Sequence, residues 1–167
     1  MERNYMIAYE GSKQCKVTIG SWEQVIAPYA TSMRTIAIVD EAVASHFDLC
    51  EHFQEVITIG GGEGCKNIEV AAKLWESLIE IGADRHCCLV GIGGGTVTDL
   101  VAFVASTYMR GVKFVLVPTT LLGQVDAAIG GKCAINMGGY KNMVGLFSLP
   151  VGVVCDPAWL ATLPERE

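Results

Sequence analysis

The sequence lacks the features of a membrane-spanning, exported or nucleic-acid-binding chain. It contains no run of about 18 uncharged apolar residues, and its start, MERNYMIAYEG, has no apolar signal-peptide core. Basic residues do not cluster and the net charge is −6, so no patch suits nucleic acid or an anionic membrane. We therefore expect a soluble, cytoplasmic protein with a small-molecule partner.

Disulfide and metal-binding cysteine patterns are also missing. The seven cysteines are odd in number, show no CxxC spacing and lie mostly inside apolar runs. Because a reduced cysteine packs as a small apolar side chain, we expect core thiols rather than cross-links or ligands.

The chain does contain a regular alternation of short apolar runs and helical patterns. Hydrophobic residues make up 51% of the 167, which suits one domain with a sheet covered on both faces. The clearest helical pattern covers 68–81, with Asn67 as a candidate N-cap, and weaker ones cover 23–30 and 41–48. Strands are predicted at 15–19, 34–40, 55–59, 87–92, 112–118 and 151–156. This order predicts an α/β fold with an open, largely parallel, Rossmann-like sheet and helices on both faces.

Three consecutive glycines, Gly93, Gly94 and Gly95, end one predicted strand and precede a helix that we expect to open at Thr96. Backbone N–H groups at a helix start attract phosphate, and glycines let a pyrophosphate approach the backbone. The pattern is not a clean GxGxxG, and the ribose-binding acid expected about 20 residues onward is absent. Asp99 lies one turn into the helix instead. An ordinary tight turn between strand and helix would also explain the glycines alone.

A second unusual segment, 117–147, is rich in glycine and poor in charge. Thr119 and Thr120 follow a strand that ends at Pro118, at the sheet edge where open α/β folds bind ligands. An apolar helix carrying Asp126 is expected next, and two lysines follow among glycines, Lys132 and Lys141, the latter beside Asn142. Ammonium and amide donors suit phosphate oxygens, so this segment predicts a phosphate and hydroxyl site.

Together these motifs resemble the amino-terminal domain of the 3-dehydroquinate synthases, which are sugar phosphate cyclases. The resemblance rests on GEGCKN, GIGGGTVTDL, TYMRGVKFVLVPTTLLGQVDAAIGGKCAIN, KNMVGLF and LATLPERE; it is dense over 57–167 and loose over 1–56. It implies conversion of 3-deoxy-D-arabino-heptulosonate 7-phosphate to 3-dehydroquinate and phosphate in the shikimate pathway. The family uses NAD, which is not consumed, and a divalent metal, commonly zinc or cobalt. It also implies a homodimer.

The resemblance assigns site residues position by position. The implied nucleotide contacts are Asp40, Glu63, Lys66, Gly94, Gly95, Thr96, Asp99, Thr119, Thr120, Lys141 and Thr162. The implied catalytic, substrate-binding residues are Arg110, Asp126, Lys132 and Asn142, with Arg110 reaching the substrate phosphate of a neighbouring subunit. From the residues alone, Glu63 and Lys66 could form an ion pair at a helix entry, and Arg110 could be an ordinary charge in a turn. Asp99, at a ligand-facing helix start, is expected to contribute little to core packing.

Several positions depart from the family pattern. Ala42 stands where asparagine is common, Thr98 and Ala102 replace glycines, and Cys133 replaces a threonine. The family continues past LPERE into a helical domain with a glutamate and two histidines as metal ligands, and His46, His52 and His86 match none of these. We therefore expect 1–167 to be the NAD-binding domain of a longer two-domain protein, without its metal ligands.

Other functions share some of these features. A metal-dependent alcohol or glycerol dehydrogenase of related fold would share the GGG turn and the threonine pair, but the GGKxxIN and KN segments argue against it. A non-catalytic nucleotide-binding module would not need Asp126, Lys132 and Asn142. Cyclases acting on sedoheptulose 7-phosphate or glucose 6-phosphate remain alternatives.

Overall fold

A computed structural model describes residues 2–8, 14–46 and 49–163. Within these residues seven strands form one sheet, in the order β1-β2-β9-β6-β5-β3-β4, and two further strands form the hairpin β7-β8. Only β1 runs antiparallel to its neighbour in the large sheet; the other pairs are parallel. The strands are β1 Arg3–Ala8, β2 Gln14–Ile19, β3 Thr35–Asp40, β4 Glu55–Ile59, β5 Cys88–Gly93, β6 Lys113–Pro118, β7 Lys132–Met137, β8 Tyr140–Phe147 and β9 Gly152–Cys155.

Helices cover both faces of the large sheet. The α-helices are α1 Trp22–Ser32, α2 Glu41–Ala44, α3 Ile68–Glu80 and α4 Gly95–Thr107. Alternate residues of β3, β5 and β6 point to opposite sides, so Leu89 packs with α3 and α4 whereas Val90 packs with α1. The central strand β5 is buried along its whole length, and this is why its sequence shows no polar alternation.

Short helical turns connect several of these elements. They comprise 3₁₀ turns at Leu49–Glu51, Glu63–Cys65, Tyr108–Arg110 and Pro157–Thr162, and a π-helical turn at Gly123–Ala127. None of the described helices is long and apolar enough to cross a membrane.

The predicted α/β architecture is confirmed, with Rossmann-like parallel strands and helices on both faces. All six predicted strands occur within one or two residues of their expected bounds. The helix predicted at 68–81 is α3, and Asn67 caps it by accepting the Val70 N–H at 2.8 Å. The pattern at 23–30 lies within α1. The pattern at 41–48 gives only the four-residue α2, and its positions 47–48 lie outside the described residues.

The structure adds two elements that were not predicted. The edge strand β1 is one, and the hairpin β7-β8, formed by the glycine-rich segment, is the other. The helix expected around Asp126 is present at 121–127, and its residues Gly123–Ala127 are π-helical. The carboxyl-terminal segment forms a 3₁₀ turn at Pro157–Thr162, and positions 164–167 lie outside the described residues.

Candidate functional site

The glycine turn lies where β5 meets α4, at the carboxyl edge of the sheet. Gly94 is the N-cap of α4 and supplies no side-chain cap, so the first N–H groups of the helix remain available to an anion. The helix opens at Gly95, one residue before the predicted Thr96. Thr98, which replaces a glycine of the family pattern, is buried, and its hydroxyl donates to the Gly95 carbonyl at 3.0 Å.

A cavity of about 570 Å³ opens directly above this turn. It lies between the ends of β3, β5 and β6, and Thr119 is held there by its N–H, which donates to the Gly93 carbonyl at 2.9 Å. Nine of the eleven predicted nucleotide contacts line it: Asp40, Lys66, Gly94, Gly95, Thr96, Asp99, Thr119, Thr120 and Thr162. We name this space the nucleotide cavity. Ala42, where the family commonly has asparagine, also lines it.

A second cavity, of about 440 Å³, lies between α4 and the hairpin β7-β8. Three of the four predicted substrate contacts line it, namely Asp126, Lys132 and Asn142. Asp99 lines both cavities, so the two spaces meet at this carboxylate. We name the second space the hairpin cavity. One ammonium, two carboxylates and an amide around a space of this size suit a small polyhydroxylated anion.

Lys66 lies beneath the junction of the two cavities, and its side chain is only 5% exposed. Its ammonium forms a short ion pair with the Asp99 carboxylate and donates to Asn142 Oδ1 at 2.6 Å. Burial raises the pKa of the Asp99 carboxyl, and the hydrogen bond and charge of Lys66 oppose that rise. The expectation that Asp99 contributes little to packing is therefore revised, because removing it would leave a buried ammonium without its counter-ion.

Glu63 and Lys66 do not form the ion pair that their spacing suggested. Glu63 Oε1 accepts from Asn136 Nδ2 at 2.8 Å and lies 3.7 Å from Lys141 Nζ. The hydrogen bond from Asn136 is the main cause that lowers the pKa of the Glu63 carboxyl. Glu63 and Lys141 are the two predicted nucleotide contacts that do not line the nucleotide cavity. They form an ion pair with each other instead.

Asp40 is fixed at the end of β3. Its carboxylate accepts the Ala42 N–H at 3.0 Å as the N-cap of α2, and a Cβ at Gly61 would collide with it. Because Gly61 has no side chain, the Asp40 carboxylate has room beside the nucleotide cavity.

Arg110 lies far from the other predicted site residues. It precedes β6 and borders a crevice with Arg85 and His86, at the amino-terminal edge of the sheet. The six residues of β6 span roughly 20 Å at about 3.3 Å each, so Arg110 cannot reach the cavities at the other edge of its own chain. Met109 and Arg110 both have positive φ, 48° and 69°, and Gly111 follows at 112°. This backbone is strained for side chains other than glycine.

The residues described here do not fit a metal ion. Among residues 2–8, 14–46 and 49–163, no group of three histidine, cysteine, aspartate or glutamate side chains is arranged to hold one. Six of the seven cysteines are buried, as predicted for core thiols, while Cys50 is exposed. Cys133, which replaces a threonine of the family pattern, donates from Sγ to the Leu146 carbonyl at 3.2 Å.

Two residues with clear roles at the site were missed. Gln124 is buried and donates to the carbonyls of Pro118 and Asp156, at 3.1 and 2.8 Å, and so ties the π-helical turn to β6 and β9. Asn136 bonds both to Glu63 and to the backbone of Asn142. Both were visible as polar residues in apolar surroundings, but only the fold shows what they contact.

A comparison with known protein families identifies the family of this chain. Residues 56–167 match the model described as "3-dehydroquinate synthase N-terminal". The chain belongs to the 3-dehydroquinate synthase family. A 3-dehydroquinate synthase of Pyrobaculum islandicum is 52% identical over 110 residues, which cover 66% of this chain and 32% of that protein. The chain spans about a third of the length of the curated relatives it matches.

Solved structures of sugar phosphate cyclases share the fold of this family member. A 2-deoxy-scyllo-inosose synthase, complexed with carbaglucose-6-phosphate, NAD⁺ and Co²⁺, is 25% identical with a TM-score of 0.86, covering 98% of this chain and 48% of that one. The 2-epi-5-epi-valiolone synthase of Streptomyces hygroscopicus, with NAD⁺ and Zn²⁺ bound, is 27% identical with a TM-score of 0.83, covering 97% and 48%.

Proposed function

We propose that this chain supplies the NAD site and part of the substrate site of a cytoplasmic 3-dehydroquinate synthase. In this proposal it is the amino-terminal domain of a two-domain enzyme that converts 3-deoxy-D-arabino-heptulosonate 7-phosphate to 3-dehydroquinate and phosphate. The observation that carries it is the pair of cavities that meet at Asp99, one glycine-walled and one lined by Lys132 and Asn142. Family membership and the ligands of the two solved cyclases support it.

The nucleotide cavity would hold NAD, which when bound supplies a reversible hydride acceptor. The free N–H groups at the start of α4 would face the pyrophosphate, and Asp40, Thr119 and Thr120 offer oxygens for hydroxyl groups. Asp99, which is paired with Lys66, would face the ligand. A polyphosphate beside α4 also needs to approach the backbone closely, and Gly94 permits this because it has no side chain. There is little room for one, since a Cβ at Gly94 would lie 3.3 Å from Thr120 Cγ2.

The hairpin cavity would hold the sugar phosphate. Lys132 is exposed and lies beside Gly130, so its ammonium is free to turn towards a phosphate, and Asn142 presents its amide from the opposite strand. Asp126 would accept from sugar hydroxyls. A divalent metal belongs to this family's chemistry in the solved cyclases, but the described residues do not supply its ligands, and we derive no step through it.

The decisive experiment measures phosphate release and NADH together in the full-length protein. We expect phosphate release from 3-deoxy-D-arabino-heptulosonate 7-phosphate without net NADH, and little from sedoheptulose 7-phosphate or glucose 6-phosphate. Release from one of the latter would identify a related cyclase. Accumulation of NADH with polyols, without phosphate release, would identify a dehydrogenase of the same fold and contradict the proposal.

Two substitutions locate the substrate phosphate. Lys132→Ala and Asn142→Ala should each weaken substrate affinity or turnover at least about tenfold, as expected for loss of a charged or buried hydrogen bond. Lys73→Ala removes an exposed lysine from α3 and serves as the charge-matched control. Unchanged kinetics in both site variants would place the phosphate elsewhere.

We also propose that the working form is a homodimer in which Arg110 reaches the substrate of the neighbouring subunit. Arg110 lies at the sheet edge opposite to the two cavities, so it cannot contact a substrate bound in its own chain. This position supports the proposed dimer. Mixing Arg110→Ala subunits with Lys132→Ala subunits should restore activity in the mixed dimers, since each then contains one intact shared site. A monomeric enzyme with full activity would exclude the arrangement.

A further inference from the structure

Asn136, the last residue of the GGKxxIN segment, joins the two sides of the candidate site. It lies in β7 at the irregularity of the hairpin, where the register with β8 shifts between Ile135 and Met137. Its backbone is therefore available to a third segment: its N–H donates to the Lys66 carbonyl at 2.8 Å, and it forms a parallel bridge with Asn67. The hairpin is anchored here to the segment that carries Glu63 and Lys66.

Both polar atoms of the Asn136 side-chain amide form hydrogen bonds. Nδ2 donates to Glu63 Oε1 at 2.8 Å, and Oδ1 accepts the backbone N–H of Asn142 at 2.9 Å. These partners dictate the amide orientation, because an ionised carboxylate only accepts hydrogen bonds and a backbone N–H only donates. The half-buried Asn136 thus connects a predicted nucleotide contact with a predicted substrate contact.

Asn142 needs such support because its backbone is left-handed, with φ of 56°. This conformation is unfavourable for residues other than glycine, although asparagine tolerates it better than most. In this conformation the Asn142 side chain accepts from Lys66 Nζ at 2.6 Å and borders the hairpin cavity. A relaxed backbone at 142 would re-aim the amide and remove it from Lys66.

We propose that Asn136 is a positioning residue whose Oδ1 holds Asn142 in the conformation that the substrate requires. The substrate half of this inference rests on the proposed function. The bond to Glu63 is secondary: it orients the Asn136 amide, whereas the bond to the Asn142 N–H fixes the backbone next to the reacting sugar phosphate.

Two substitutions of similar size separate these bonds. Both are made in a Glu63→Gln background, because Asn136→Asp alone would set a second carboxylate against Glu63. In that background Asn136→Asp keeps an oxygen acceptor for the Asn142 N–H, and Asn136→Leu loses it. We expect the leucine variant to lower kcat/KM for the sugar phosphate about tenfold, the effect of one lost hydrogen bond at a site, while the Kd for NAD changes less than about threefold. The aspartate variant should stay within about threefold of the Glu63→Gln protein in both quantities. If leucine unfolds the protein, Asn136→Ala makes the same comparison.

Hydrogen exchange of the Asn142 amide gives a second readout that does not depend on the reaction. Protection should persist in Asn136→Asp and be lost in Asn136→Leu, in the presence and absence of inorganic phosphate. If the enzyme releases no phosphate from any sugar phosphate, the proposed function fails while this measurement still tests the positioning. The inference is overturned if the leucine variant keeps its kcat/KM and its amide protection, or if aspartate is as defective as leucine.

Discussion

At the scale of single residues, the site is organised around one buried ammonium. A lysine that is nearly inaccessible to water is unfavourable unless its charge is compensated, and Lys66 has the Asp99 carboxylate and the Asn142 amide oxygen as partners. Asp99 borders both cavities and Asn142 borders the hairpin cavity, so a change at either partner alters the surroundings of the other. Lys66 therefore links the nucleotide and hairpin cavities electrostatically.

This pairing predicts that stability and NAD binding respond differently to substitution. Asp99→Asn should lower the free energy of unfolding by about 3 kcal/mol, because Lys66 is left buried without its counter-ion, and should weaken NAD binding at least about tenfold. Adding Lys66→Met should restore most of the stability, since no buried charge remains, but not the NAD affinity. Denaturant titration and calorimetry on the three proteins measure both. NAD affinity that recovers in the double variant would remove Asp99 from the cofactor site.

The roles of these residues could be predicted from sequence only in part. Asp99 and Lys132 were recognisable because a charge in a glycine-rich or apolar segment is unusual. Asn136 stands in the GGKxxIN segment, but its role was not recognisable, because it depends on the irregular register of the hairpin. Arg110 was assigned by resemblance, and its distance from the cavities in its own chain became apparent only from the strand directions.

At the scale of elements, the contact between β5 and α4 sets the shape of the glycine turn. A Cβ at Gly93 would lie 2.7 Å from Val97 Cβ, and one at Gly91 would lie 2.9 Å from Val101 Cβ. Glycines on the strand thus let β-branched residues of the helix pack directly against its backbone. This close packing brings the helix start, with its free N–H groups, to the sheet edge.

Gly93→Ala should therefore displace α4 and disturb the phosphate site. We expect a loss of about 1–3 kcal/mol in the free energy of unfolding from overpacking, together with weaker NAD binding. Combining it with Val97→Ala should recover part of both losses because the clashing methyl groups are removed. Gly64→Ala is the matched control, since nothing lies within 4 Å of a Cβ there. Equal effects of Gly93→Ala and Gly64→Ala, measured by thermal unfolding and calorimetry, would contradict this account of the turn.

The cysteines on the strands give the chain an alkaline sensitivity. Burial raises the thiol pKa of Cys15 and Cys155 from 9.0 to about 11, and that of Cys88 to about 12. In the unfolded chain these thiols ionise near their usual pKa, so their contribution to stability is complete below pH 9 and is lost as the pH rises towards 11 for Cys15 and Cys155 and towards 12 for Cys88. The unfolding midpoint should fall over this interval, and Cys88→Ala should make the fall shallower. An unchanged pH slope in that variant would show that Cys88 is not the cause.

The parallel sheet was predictable because its strands are apolar on both faces and separated by helical patterns. The hairpin β7-β8 was not, because all of β8 is exposed and its sequence, YKNMVGLF, shows no buried face. Gly145 permits its close approach to β7, because a Cβ there would clash with the backbone at 133 and 134. Propensity rules give little information about such a strand.

At the scale of the whole molecule, one region carries much of the exposed apolar surface. Leu122, which precedes the π-helical turn, and Val125 within it are 66% and 64% exposed, and Met143 and Phe147 of β8 are 64% and 84% exposed. Met143 and Phe147 border the hairpin cavity together with Asp126 and Asn142. Exposed apolar surface beside a ligand site is typical of a cleft wall or of a contact surface between domains.

The last prediction compares the 167-residue chain with the full-length protein. The nucleotide cavity is formed by this chain, so it should bind NAD measurably, but more weakly than the full-length protein if the apolar region above is covered there by further protein. Phosphate release by the 167-residue chain should be undetectable even with added zinc or cobalt. The reason is that its described residues do not arrange three metal-ligating side chains, and a metal Lewis acid can stabilise a transition state by several kcal/mol. NAD titrations and phosphate-release assays of both proteins, with and without metal, make the comparison. Cyclisation by the shorter chain alone would mean that its residues form the complete active site, and the proposed division into two domains would be wrong.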